Sequence, residues 1–409
     1  MRSPGALPLF LTLAYAALEY GRPQDAIPGL EYARLSLLVS GLLGICVFQW
    51  SRRVPWFHAQ LALYALILAL MSAWVPFATN NFWAFKTTWV LIQTYLFTVA
   101  LATFVDSETR LRQFSLLWVA SGLFQAIWGT LHGGRGTGYF QGDENDFALS
   151  MCMILPFTLL PWSHLERVWQ KGLCALSAVA CVVGVVVSNS RGGFVGLLAT
   201  AGLMVLLHPQ RVRFAAIGAS AATLLAVLAG PSYWQEMRTI FDEGGTRADR
   251  VHLWGIAWKA YLDNPLIGVG PGNINWVIGE YEDFEPGSKS HNGRAVHSLY
   301  LTVIAEMGTV GALLFLALLL ANARDLRAVI RTRGQARAPA LDGYARAVAC
   351  SIGAYLACGA FLSVLWYPHL YFLTGLTVAL ARTSRAGRAE PAPAALASAP
   401  DTALRAAGA

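Results

Sequence analysis

The side chains of this sequence best suited to proton transfer or anion binding in an apolar setting are His297, Arg191, Arg247 and Arg250. An imidazole titrates near neutrality and is the commonest general base. A guanidinium pairs bidentately with phosphate and carboxylate. His297 opens HSLYLTVIAEMGTVGALL, where Ser298 and then a dense apolar run follow it. A helix amino terminus disfavours the imidazolium, so a histidine there is held neutral and basic; the alternative role is a cap or interfacial residue. Arg191 lies in VVVSNSRGGFVG between two apolar runs, flanked by small residues that let a ligand approach its guanidinium. The other reading of Arg191 is a side chain snorkelling to water. Arg250 starts a helical face that continues with Trp254 and Trp258, with Arg247 one turn earlier. That spacing puts a guanidinium and indoles on one side, fit for a membrane interface or an anionic headgroup.

Two further groups are less committed. Asp143, Glu144, Asn145 and Asp146 read as a solvated loop, or as recognition of a substrate hydroxyl or amine through a residue such as Asn145. Glu306 falls on the helix face opposite His297 and roughly 13 Å deeper, which leaves a proton relay or a pairing with Arg346 or Lys86. No Asp-x-Asp pair and no His/Cys group with zinc spacing occurs, so neither metal nor cofactor is expected.

The elements that must hold these residues are membrane helices. Of 409 residues 56% are hydrophobic and 13% charged, against about a quarter charged in soluble domains. Apolar runs of roughly 17 to 25 residues recur, and alternating short strands do not, which predicts an all-α polytopic membrane protein of about twelve transmembrane helices. The expected layout is residues 1–230 carrying the first nine spans, 231–296 a loop domain with its own amphipathic helix, 297–383 the last three spans, and 384–409 a disordered cytoplasmic tail. Arg and Lys gather in alternate short loops, which places both termini in the cytoplasm. It also explains the net charge of +7 without nucleic acid. Three connections, 133–147, 188–193 and 231–296, then fall on the outer side, and they carry the polar chemistry. In RADRVHLWGIAWKAYLDNP, Asp249 or Thr246 is placed to cap a helix that Asn264 and Pro265 end. The six cysteines lie in apolar runs and read as small core residues.

From His297 the order His, Ser, nine residues, Gly308, two residues, Gly311 resembles the signature of bacterial O-antigen ligases. Arg191 in SNSRGG resembles the arginine those ligases and the related polymerases carry between two spans. Arg250 with Trp254, and then NPLIGVGPGN, resembles the block in their long periplasmic loop; Arg247 is the other candidate for the loop arginine, and the tryptophan spacing favours Arg250. The resemblance implies a fold of the glycosyltransferase C type in the bacterial inner membrane, active on its periplasmic face. It implies transfer of a polysaccharide from undecaprenyl diphosphate to a sugar of the lipid A core, without metal and with inversion. His297 would be the base, with Arg191 and Arg250 on the diphosphate. Arg247, Trp254, Ser298 and Asn145 join Arg191 and Arg250 as candidate substrate-binding residues, and membrane lipids surround the whole. An O-antigen polymerase or a transferase to protein would share this donor half. A secondary transporter for an anion is the reading from another class; the lack of an internal repeat and the polar residues on one face weigh against it.

Overall fold

Polar side chains open several of the long helices. Asn80 accepts the Trp83 amide (3.2 Å), Ser107 that of Arg110 (3.4 Å), Asp143 that of Asn145 (2.8 Å) and Ser190 that of Gly193 (2.9 Å). Each satisfies a donor that the first helical turn cannot. The computed structural model describes residues 5–239, 246–282, 290–331 and 340–389, and among them it has helices and no strand. The first half contains α1 (Ala6–Ala16), α2 (Pro23–Ala26), α3 (Leu35–Gln49), α4 (Ala59–Trp74), α5 (Asn81–Phe104), α6 (Glu108–Leu131), α7 (Glu144–Leu159) and α8 (Val168–Val187). The second half contains α9 (Arg191–Leu207), α10 (Arg211–Leu228), α11 (Pro231–Arg238), α12 (Thr246–Asp263), α13 (Ile274–Tyr281), α14 (Leu299–Arg331), α15 (Ala340–Gly359) and α16 (Pro368–Ala389).

Among the described residues, six helical segments are long and apolar enough to cross a membrane: Leu30–Gln49, Ala59–Phe77, Asn81–Phe104, Glu108–Leu131, Val168–Val187 and Leu299–Arg331. Each of the remaining apolar runs also holds a helix, but it is shorter or more polar. The bundle is inside-out in its surface chemistry. Leu38, Leu42 and Ile45 on α3, Leu176, Val179 and Val183 on α8, and Leu313, Leu316 and Leu320 on α14 form exposed apolar stripes at helical spacing. Such stripes are what lipid tails cover. Inside, one continuous core joins α1 and α3 through α9 to α14, α15 and α16. All six cysteines are free and buried in it, as expected of small core residues.

The described part of residues 231–296 supplies the helices of the loop module, α11, α12 and α13. Leu253, Ile256, Ala257 and Ala260 of α12 pack on Val277 and Ile278 of α13, on Val296, and on Ala305 of α14. Helix α12 ends at Asp263, with the Asn264 amide returning to the Ala260 carbonyl (3.2 Å). The Asp249 carboxylate in its first turn is met by Arg294 (2.9 Å). Trp258 is exposed while Trp254 is half-buried, so the expected row of indoles divides between solvent and interior.

Three boundaries differ from expectation. Helix α15 stops at Gly359, and residues 360–367 form a loop inside the stretch expected to hold the last three spans. Helix α16 continues through Ala389, past the expected start of the tail at 384, because the Ala and Arg of that stretch are good helix formers. Residues 390–409 lie outside the described part. Finally α14 is not one rod, since Gly308 inside it has φ 61° and ψ −166°, far from helical values.

Candidate active site

The glycine block 264–273 and the break in α14 are made for each other. The Val269 amide donates to the Ala305 carbonyl (2.9 Å) and Gly270 to Glu306 (3.0 Å), while Thr309 and Val310 donate to Pro265 (2.8 Å) and Leu266 (3.1 Å). The loop therefore takes the carbonyls and amides that the broken helix leaves unused. A Cβ on Gly308 would overlap the backbone of Leu266 and Ile267, and one on Gly268 would overlap that of Glu306. The Glu306 carboxylate is buried and accepts from the amides of Gly272 (2.7 Å) and Ile274 (3.1 Å) and from the Trp366 indole (2.5 Å). It thus ties the loop to α14. The expected pairing with Arg346 or Lys86 does not occur: Arg346 bonds Asp342 and the Leu207 carbonyl, and Lys86 lies 4.3 Å over the Trp83 ring. Three donors already meet the carboxylate, so no cation is required.

His297 lies just before α14 with φ 54°, a left-handed conformation uncommon outside glycine, in which Asn, Asp and His are the side chains most often found. Its amide donates to Ser363 Oγ (2.9 Å), and the carbonyl of the preceding Val296 accepts from the Trp254 indole (3.1 Å). Burial, then the charges of Arg250 and Arg294, push the His297 pKa down, against a smaller opposite pull from Asp143. The imidazole is therefore neutral to lower pH than an ordinary histidine. Trp254 serves by this bond to hold the strap that ends in His297. Ser298 is buried and its hydroxyl faces the Leu301 amide (3.4 Å), so it caps α14.

Arg191 begins α9, and Ser190 before it joins α9 to α7 by donating to Asn145 Oδ1 (2.7 Å). Arg191 and Arg250 share a cavity of about 570 Å³ with Ser188, Ser190, Asn145 and Glu236. Arg191 meets Glu236 at 3.3 Å. Burial and the nearby charge of Arg191 both lower the Arg250 pKa, the mark of two cations held close. The backbone of Arg247 is in the first turn of α12, and its side chain lies outside the described residues.

A second cavity of about 990 Å³ opens beside the first, and Asn145 lines both. Its walls include His297, Asp143, Asp146, Trp276, Lys86 and Tyr367. The acidic cluster is only partly a solvated loop. Asp143 caps α7, Glu144 pairs with Arg135 (3.0 Å), and the buried Asp146 accepts from Tyr367 (2.7 Å). Loop 360–367 makes three bonds here: Ser363 accepts the His297 amide, Trp366 donates to Glu306 and Tyr367 donates to Asp146. Hydropathy does not mark this loop, because 360–367 is as apolar as the helices beside it; the signal in the sequence is Pro368 at a helix start.

Residues 176–316 match the family model described as O-antigen ligase. That stretch contains Arg191, Arg250, Glu306, Gly308 and Gly311 along with His297. The teichuronic acid biosynthesis protein TuaE of Bacillus subtilis (strain 168) is 22% identical over 179 residues, covering 41% of this chain and 36% of that protein. The chain thus spans about a third of the length of that curated relative.

Proposed function

We propose that this chain, a member of the O-antigen ligase superfamily, is a membrane glycosyltransferase that moves a polysaccharide from undecaprenyl diphosphate to a lipid A core sugar on the periplasmic face of the inner membrane. The observation that carries this reading is the pair of adjoining cavities, one bearing Arg191 and Arg250 and the other bearing His297, with Asn145 between them. The arginine cavity suits a diphosphate, together with the amide-rich amino end of α9. The larger cavity, with its indoles, hydroxyl and carboxylates, suits an acceptor sugar.

The reaction is a single displacement. The acceptor hydroxyl oxygen attacks the anomeric carbon, the carbon–oxygen bond to the diphosphate breaks, and the hydroxyl proton passes to neutral His297. Charge that grows on the departing diphosphate is met by Arg191 and Arg250. The anomeric configuration inverts, and no metal is assigned a step. Twelve spans in the glycosyltransferase C arrangement, with module 231–296 in the periplasm, complete the proposal.

Ligation in vitro, with a lipid diphosphate donor and lipid A core acceptor, tests it through wild type, His297→Ala, Arg191→Ala and Arg250→Ala. Full activity in all three variants would sink the site. A relative named for teichuronic acid biosynthesis favours a second reading, polymerisation of a lipid-linked glycan. A deletion strain separates the two: a core lacking any O-unit marks a ligase, and a core carrying one O-unit marks a polymerase.

A further inference from the structure

Helix α12, the residue after α13 and the strap that leads to His297 bring three metal-ligating side chains to one point of the loop module. One ligand atom each of His252, Glu282 and His291 lies within 4.8 Å of the other two. Glu282 Oε1 is 2.5 Å from His291 Nδ1 and 3.9 Å from His252 Nε2, and the imidazole centroids are 5.0 Å apart. A histidine–carboxylate hydrogen bond would account for His291 alone. His252 at 3.9 Å is beyond hydrogen-bond reach, so its convergence on the same oxygen needs another cause.

The surroundings hold two of the groups in place. Glu282 accepts the His291 amide on both oxygens (3.0 and 3.1 Å) and faces the Ser290 hydroxyl at 3.3 Å. His291 Nε2 is buried with no hydrogen-bond partner among the described residues, and it faces Asp249 Oδ1 at 3.7 Å. Asp249 is fixed in turn by Arg294 (2.9 Å). A carboxylate behind the far nitrogen of a ligating imidazole is the usual support of a metal-bound histidine.

We propose that His252, Glu282 and His291 form a binding site for a divalent ion of the zinc class. Two imidazoles and one carboxylate are a zinc donor set, and they leave a fourth position for water. The side chain of His252 is 48% exposed, which gives the ion an entry path and that position an outlet to solvent. Magnesium and calcium call for more oxygen ligands than this point supplies. The spacing of the three residues hides the site, because they come from within α12, from the residue after α13 and from a separate strap rather than from one short motif. An ion here joins α12, two residues past Arg250, to the strap that carries Arg294 and ends at His297. It would clamp the two halves of the larger site without entering the reaction, and its presence does not depend on what is transferred.

Untagged full-length protein in detergent is loaded with Zn²⁺, desalted and assayed for metal and for thermal unfolding. The expected result is one zinc per chain and a raised melting temperature in the wild type, with neither in His252→Ala or His291→Ala, and no rise with Mg²⁺. Asp249→Asn should weaken zinc roughly 10- to 100-fold while the ligands remain. Cobalt loaded into the wild type gives a readout free of any variant: a visible absorption band of a low-coordinate nitrogen and oxygen site. No retained zinc and no cobalt band in the wild type would overturn the proposal, as would equal zinc retention in the His252→Ala, His291→Ala double variant.

Discussion

At the scale of single residues, His297 combines a left-handed backbone with an imidazole kept neutral by burial and by two arginines. Its removal as His297→Ala should lower the ligation rate by about 10² to 10⁴, the range for a positioned base. The sign of the pH effect follows from the lowered pKa. Activity needs the neutral imidazole, so its acid limb should lie below the ordinary histidine range, and Arg294→Gln, which removes one of the depressing charges, should move that limb upward in a pH–rate profile. Arg191→Ala and Arg250→Ala should each cost about 3 to 4 kcal/mol of transition-state stabilisation, by analogy with a lost oxyanion donor, read as kcat/KM. Glu236→Gln should act the other way. The Arg191–Glu236 pair is part-exposed, so its loss is worth at most about 1 kcal/mol, roughly a fivefold gain in donor affinity measured as KM. His297, Arg191 and Arg250 were legible in the sequence because charged groups beside apolar runs are rare. Asp146 and Tyr367 were not, since their bond crosses 221 residues of chain and neither partner alone suggests the other.

At the scale of elements, Glu306 looked like a charge stranded in a membrane helix, and it is the fastening of the glycine loop. Glu306→Ala would leave the Gly272 and Ile274 amides and the Trp366 indole without their acceptor. Each buried orphan costs about 1 to 3 kcal/mol, so the melting temperature should fall well below that of Glu306→Gln, which keeps one oxygen. Gly308→Ala should destabilise as strongly through a different cause, the overlap with the backbone of Leu266 and Ile267. Helix periodicity announced α14 and α12 correctly but could not announce the break, because Gly308 sits in an unbroken apolar run and only the loop from 264–273 makes its φ of 61° favourable. The same limit hid α11 and α13, each of 8 residues and too short for a pattern to emerge.

At the scale of the whole molecule, the polar connections 133–147 and 188–193 and the apolar loop 360–367 gather with the loop module, as the Ser190–Asn145, Arg191–Glu236 and Tyr367–Asp146 contacts require. Basic loops elsewhere predict which side this is. With all native cysteines buried, single cysteines report cleanly. Trp258→Cys should react with an impermeant maleimide on intact spheroplasts, and Arg385→Cys only after permeabilisation. The reverse pattern would turn the molecule over. One consequence of the broken α14 reaches beyond stability. Between Ser298 and Gly308 the helix is a ruler, pinned at one end to the Ser363 strap contact and at the other to the glycine loop. One alanine inserted after Leu301 would leave hydropathy untouched, yet advance everything beyond it by about 1.5 Å and 100°. Glu306 would then swing off its donors, and the imidazole would be mismeasured against the loop. The interval of nine residues is thus a length the molecule must inherit intact, a demand separate from the packing of the buried Leu299, Val303 and Ala305 within it.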